Sequence, residues 1–218
     1  MGREINLLVN YPKSNRDSSK RMAIKENARK IAREFGQEFF DGSREHGYGG
    51  YKYNEKYWTP VVPTFQDYYK LKNGNSVLDI GCAKGFMLYD FYRLIPGLKV
   101  AGVDISDYAI KNCREEVRPF LQVANATKLP FPDHSFDLVI SLNTHHNLEG
   151  EDLVNAFKEL QRVSKGKSFV ILDAYRNEEE KKAMLEWNLT AKTIMHVNDW
   201  LKFFKEVGYT GDYFWFMP

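Results

Sequence analysis

From about residue 76 onward, short apolar runs alternate with longer stretches in which apolar positions recur every three to four residues. The runs predict strands at 76–80, 99–104, 120–124, 136–142 and 168–174, and the stretches between them predict helices near 85–95, 107–117 and 149–164. In the second helix Asp107 can cap the N-terminus, and Ala109, Ile110 and Cys113 recur at helical spacing. A further helix over about 178–190 opens with Glu178, Glu179 and Glu180, the sign that a helix dipole favours there, and another covers 197–207 and stops at Gly208. The tail from Tyr213 to Met217 reads as a last strand. Strands alternating with helices imply an α/β class, with a doubly wound, mostly parallel sheet of the seven-stranded, Rossmann-like type. Helices lie on both faces and the crossovers are right-handed.

The first seventy residues follow a different pattern. Residues 18–35 predict a helix with Ile24, Ala28, Ile31 and Phe35 on one stripe, and Gly36 just beyond its end. The opposite face carries basic residues between Arg16 and Arg33, diluted by Glu26 and Glu34, as on an ordinary solvated face. Next, Gly47, Gly49 and Gly50 interleave with Tyr48, Tyr51, Tyr53, Tyr57 and Trp58. A flexible backbone with amphipathic rings suits a lid over a pocket, and it suits a twisted hairpin packed on the core equally well. Thr59-Pro60 then starts a helix in which Val62, Phe65 and Tyr69 share a face. The expected division is residues 1–70 as a helical extension with a Tyr/Gly-rich lid and 71–218 as the α/β domain.

Composition narrows the class. At 218 residues, with 43% hydrophobic positions, 15 Phe and 13 Tyr, the chain can bury a full core. A formal charge of +2 gives no polycation for RNA or DNA, so nucleic acid is not the expected partner. Cys82 and Cys113 are too few for a disulfide framework, which points to a reducing, cytoplasmic setting. No run approaches the length of a membrane span, and the first residues lack a secretory or myristoylation pattern.

The candidate chemistry begins at Val77-Leu78-Asp79-Ile80-Gly81-Cys82-Ala83-Lys84-Gly85-Phe86. A buried strand breaks there into a tight glycine turn at the start of a helix, where a ligand can approach the backbone. The pattern is D-x-G-x-x-x-G. A nicotinamide turn would read G-x-G-x-x-G, and Ala83 argues against it. The second strand ends in Asp104, whose carboxylate can accept hydrogen bonds from both hydroxyls of a ribose. Asn125 follows the third strand and can read an adenine edge with its amide.

This ordered set, over about residues 72–175, resembles the class I S-adenosylmethionine-dependent methyltransferases, most closely their small-molecule, ubiquinone/menaquinone-biosynthesis-like branch (methyltransferase type 11). The resemblance implies S-adenosyl-L-methionine as cofactor, with S-adenosyl-L-homocysteine as product. It implies that Gly81, Cys82 and Gly85 let the backbone pass close to the methionine part, while Asp79 faces its ammonium group. It further implies that Asp104 binds the ribose, Ile105 packs on the adenine, Asn125 and the Ala126 amide bind the base, and the Leu142 carbonyl meets the ammonium. Such enzymes commonly close with an antiparallel hairpin, of which only one clear strand is visible in this sequence. Lys84 and Asn125 depart from the usual pattern, since that loop is commonly small or acidic and position 125 commonly Asp.

Methyl transfer is an in-line displacement that needs the nucleophile held near the methyl group and, for some acceptors, a proton removed. Among residues beyond the fourth strand, a neutral imidazole suits that removal, with His146 first and His145 second as candidates; the alternative is that one of them caps the next helix or packs beneath it. Beyond the fifth strand, Arg176 can hold a substrate carboxylate or phosphate, or bridge to Glu179 or Glu180. Tyr175, with Tyr48, Tyr51 and Tyr53, can contact substrate or shelter the sulfonium. No metal is expected, because adjacent histidines rarely point the same way and no His-x-x-x-His spacing occurs. The expected activity is methylation of a small metabolite at oxygen or nitrogen; the rivals are methylation of a protein side chain or RNA, and a non-catalytic S-adenosylmethionine-binding protein. Oligomeric state is not legible.

Overall fold

The computed structural model describes residues 2–12 and 24–218. Among the described residues, four short helices lead the chain to the sheet: α1 (Lys25–Arg33), α2 (Gln37–Phe40), α3 (Glu55–Trp58) and α4 (Val62–Tyr69). The upstream part of the expected 18–35 helix lies outside the described residues. The alternating part comprises β1 (Ser76–Ile80), α5 (Phe86–Leu94), β2 (Lys99–Asp104), α6 (Asp107–Lys111), β3 (Leu121–Val123) and β4 (Leu138–Leu142). It continues with α7 (Gly150–Val163), β5 (Ser168–Tyr175), α8 (Glu178–Trp187), β6 (Met195–His196), α9 (Val197–Glu206) and β7 (Asp212–Phe216).

The helix expected at 107–117 is broken. It stops after Lys111, and a 3-10 turn over Glu115–Phe120 replaces its second half. The cause is local: Ser106 caps the first turn by accepting the Ala109 amide, Asn112 closes the last one by donating to the Tyr108 carbonyl, and Pro119 cannot continue an α-helix.

The seven strands form one sheet in the order β3-β2-β1-β4-β5, with β7 and β6 sharing the far edge of β5. Each of these strand pairs is parallel. The tail strand therefore does not close the sheet as the antiparallel hairpin of the resembling enzymes. A parallel neighbour needs a crossover, and α9 supplies one between β6 and β7. Beyond β7 the sheet gains one more rung from the N-terminal segment, where the Ile5 amide donates to the Tyr213 carbonyl at 2.9 Å and the Tyr213 amide to the Arg3 carbonyl at 3.0 Å.

Strand period two sorts the core onto two faces. Val77, Leu138, Ile140, Phe169 and Ile171 pack with Phe65 of α4 and with Leu88 and Phe91 of α5. Leu78, Ile80, Val139, Val170 and Leu172 pack with Phe157 and Leu160 of α7 and with Trp200 and Phe204 of α9. Both faces of the sheet are thus covered, and the strands read as continuous apolar runs for that reason. Val61, Val62, Phe65, Tyr69 and Leu71 belong to the first of these cores, so α4 is anchored in the sheet domain itself. Strand order reverses direction between β2-β1 and β4-β5, which places a crevice at the carboxyl ends of β1 and β4.

Candidate functional site

At the end of β1 the chain turns under backbone control. The Gly81 and Cys82 amides both donate to the Val103 carbonyl of β2, at 2.7 and 3.0 Å, and Gly85 donates back to Cys82 at 2.9 Å. Gly81 and Gly85 have φ of 83° and 72°, in the left-handed region. A Cβ on Gly81 would collide with the Thr144 side chain, and one on Gly85 would sit 2.7 Å from Leu121. Ala83, where a middle glycine would stand, is forced to φ 50° as well. Its amide is held by Asp104 Oδ2 at 2.8 Å, while Asp104 Oδ1 accepts the Ser106 amide at 2.8 Å. Asp104 therefore braces the turn and also caps the loop after β2.

Two carboxylates converge on this turn. Asp79 is 5% exposed, and its Oδ1 is buried with no hydrogen-bond partner among the described residues. Burial, with the Asp104 charge adding to it, pushes the Asp79 carboxyl up to about 8. Burial also raises Asp104, against the backbone amides that bind it. A crevice holding two desolvated acids and a glycine cradle fits a ligand that brings positive charge and lies against the backbone. S-adenosylmethionine, with an ammonium and a sulfonium, matches that requirement. Just after β2, Ile105 is 54% exposed and presents an apolar surface to the crevice rim. Asn125 is exposed, and its Oδ1 accepts the Thr127 amide at 3.0 Å. Ala126 is half-buried beside it. The Leu142 carbonyl accepts the Thr144 hydroxyl at 3.2 Å.

The N-terminal segment that carries the Tyr/Gly stretch lies against this turn, and three polar latches between residues 35 and 59 hold it. Ser106 donates its hydroxyl to the Phe35 carbonyl. Lys84 reaches both oxygens of Asp41, at 2.7 and 2.6 Å. The fully buried Asp90 accepts the Tyr53 hydroxyl at 2.7 Å and the Thr59 hydroxyl at 3.2 Å. Tyr48 stacks on Tyr51 with ring centres 4.1 Å apart, and Tyr51 meets Phe86 at 4.7 Å. Tyr48 and Tyr51 are thus a paired wall beside the glycine turn, whereas the hydroxyl of Tyr53 is committed to Asp90. Sequence reasoning missed Asp41, the partner of Lys84, and Thr144. The available signal was Lys84 itself, a cation inside an apolar turn that needs a counter-ion.

The histidine pair occupies a 3-10 turn (His145–Asn147) after β4. His145 is completely buried: its Nδ1 lies 2.6 Å from Ser141 Oγ, its ring packs on Phe157 at 4.8 Å, and burial pulls its pKa down to about 4. This is the environment of a packing histidine, and no face of the ring is open to a substrate. His146 is 2% exposed, and its Nδ1 accepts the Asp173 amide at 2.9 Å. In the neutral ring the proton is then on Nε2, so the free nitrogen is a donor and not the general base that the sequence suggests. Burial lowers the His146 pKa, and the Asp173 charge acts the other way. Tyr175 is half-buried, with its ring edge-on to His196 at 5.6 Å. Arg176 spans Glu4 at 3.6 Å and Glu180 at 3.8 Å, and its amide is bound by Glu180, so the intrachain bridge is made. Among the described residues no cluster of His, Cys, Asp and Glu could hold a metal, and no helix is long and apolar enough to cross a membrane.

Residues 78–172 match the family model described as "Methyltransferase domain". The chain is similar to a demethylmenaquinone methyltransferase from Symbiobacterium thermophilum, 36% identical over 110 residues, covering 46% of this chain and 43% of that one. It is also similar to an arginine-hydroxylase, mitochondrial NDUFAF5 of Rattus norvegicus, 35% identical over 89 residues, covering 40% of this chain and 25% of that one. The chain thus spans less than half the length of these relatives. Among solved structures, the YcgJ protein of Bacillus subtilis superposes with a TM-score of 0.54 at 19% identity over 67% of this chain and 66% of that one, a likeness of fold. The glycine turn and the two strand-end acids all fall within residues 78–172, and this segment is a methyltransferase domain of the S-adenosylmethionine-dependent class.

Proposed function

We propose that the protein transfers a methyl group from S-adenosylmethionine to an oxygen or nitrogen of a small metabolite. The observation that carries this reading is Asp79, a buried carboxyl with an unpartnered oxygen, set beside Asp104 in a glycine cradle. The cofactor, when bound, supplies the activated methyl group. Asp79 would face the ammonium group, Asp104 would accept the ribose hydroxyls, and Ile105 and the Asn125 amide would receive the adenine. Tyr48 and Tyr51 would exclude water from the sulfonium, as aromatic faces do for onium groups. His146, donating from Nε2, would orient the acceptor atom rather than deprotonate it. The cofactor's formal positive charge makes the methyl a good electrophile, so an acceptor that is already nucleophilic needs positioning above all. The near-neutral charge of the chain supports a small acceptor over RNA.

One observation favours a second reading, a cofactor-binding protein without methyl transfer: the basic nitrogen of His146 is occupied by the Asp173 amide. The test is incubation of the protein with methyl-labelled S-adenosylmethionine and cell extract split into small-molecule and macromolecular fractions. Label in the small fraction is the expected outcome. Label in protein or RNA overturns the small acceptor, and binding without any labelled product establishes the second reading. In the same series Asp104→Ala, still folded, is expected to weaken cofactor binding by at least about tenfold, the loss of two charge-assisted hydrogen bonds to the ribose. Calorimetry showing unchanged affinity would remove Asp104 from the site.

A further inference from the structure

Lys84 stands inside the cofactor turn, between Ala83 and Gly85, yet its side chain leaves the turn and is buried at 6% exposure. Its Nζ donates to both Asp41 oxygens and, at 3.1 Å, to the Tyr51 carbonyl. The Tyr108 hydroxyl of α6 donates to the same Asp41 carboxylate at 2.6 Å. One acid of the N-terminal segment is therefore gripped by the loop after β1 and by the helix after β2, the two elements that flank the crevice. The Tyr51 backbone is held on both sides of its Cα, since its carbonyl accepts from Lys84 and its amide donates to the Phe40 carbonyl at 3.0 Å. Its ring has aromatic neighbours on two sides. It lies between Tyr48 and Phe86, and Phe86 is the first residue of α5, directly after Gly85. Burial raises the Tyr51 phenol, with neighbouring Tyr48, Tyr11 and Asp79 adding to the shift.

We propose that Lys84 and Asp41 are positioning residues that hold Tyr51 against the methionine end of the cofactor crevice, so that the N-terminal segment reads the amino-acid part of the ligand. The inference rests on the cofactor reading above and deepens it. Ligand selectivity separates the two. S-adenosylhomocysteine carries the amino-acid portion, and 5′-methylthioadenosine keeps the adenosine and the sulfur without it.

A lysine or aspartate removed alone leaves an uncompensated buried charge, so the test uses the paired Lys84→Met, Asp41→Asn variant. Affinities for both ligands are measured by calorimetry. The paired variant is expected to bind S-adenosylhomocysteine about tenfold more weakly, the size of a typical coupling, with 5′-methylthioadenosine unchanged. Tyr51→Ala leaves the ion pair in place and is expected to give the same selective loss; it carries the test if the paired variant does not fold. Equal losses for both ligands, or none for either, overturn the positioning role and leave the cofactor reading standing. A wild-type protein that binds neither ligand ends both.

Discussion

Replacing Asp79 with Asn removes the charge and keeps the shape, and the outcome is set by the environment of the carboxyl. In the unfolded chain Asp79 ionises near its ordinary value of 3.8, whereas in the fold burial and the Asp104 charge hold the proton up to about 8. A raised acid makes the folded state keep a proton that the unfolded state has lost. Stability is then fully present below 3.8, falls as pH rises, and levels off above about 8. Roughly three pH units of mismatch at pH 7, at ~1.4 kcal/mol each, amount to about 4 kcal/mol carried against folding. The neutral amide of the Asp79→Asn variant carries none of it. The gain of the variant over wild type should therefore grow by about 3 kcal/mol between pH 5.5 and pH 8. Urea denaturation without cofactor, followed by tryptophan fluorescence at the two pH values, measures the difference. A gain that is the same at both pH values, or a variant less stable than wild type at pH 8, would refute the reasoning. The same substitution should cost cofactor affinity, since a neutral amide no longer attracts the ammonium. More stability with less binding is the signature of an acid kept for a ligand.

Three other perturbations follow from local geometry. Ala83→Gly removes the steric cost of a left-handed φ of 50°, partly offset by the freedom glycine gains when unfolded. A net gain of about 0.5 kcal/mol is expected, read as a Tm rise of roughly 1–2 °C, and a fall in Tm would show that the turn is not strained there. His145 is depressed from 6.5 to about 4, so it contributes stability at neutral pH that is lost as pH falls below 6.5 toward 4. A folded His145→Asn should flatten that part of the pH–stability curve, and an unaltered curve would place the acid sensitivity elsewhere. If a labelled product is found, His146→Ala should lower turnover while cofactor affinity holds; an unaffected rate would remove the orienting role.

The repeating part of the fold was readable because each strand is buried on both faces, so Val77–Ile80, Val139–Leu142 and Phe169–Leu172 stand out as apolar runs against the polar turns between them. The turn itself was readable because Gly81, Gly85, Asp79 and Asp104 are separated by spacings fixed by one strand-turn-helix unit. What escaped is of two kinds. Pairings over long separation leave no local trace: Lys84 meets Asp41 across 43 positions, and Thr144 fills the space over Gly81. Sidedness at the end of a strand is equally silent. Nothing in His145-His146 says that one ring enters the core against Phe157 while the other turns its basic nitrogen to Asp173. The two-residue strand β6 is too short to carry a pattern, and the direction of β7 depends on the crossover before it rather than on its own residues.

The rung between Ile5 and Tyr213 has a bearing on biosynthesis. A chain emerging from the ribosome can form the β1 to β4 neighbourhood early, since those partners are close in sequence, but Glu4 and Ile5 must wait for just over two hundred more residues before their mate arrives. Until then β5 offers a bare apolar border, the kind of exposed strand that recruits other chains. A chain that has not yet paired β7 with β5 should therefore associate with other chains more readily than one that has.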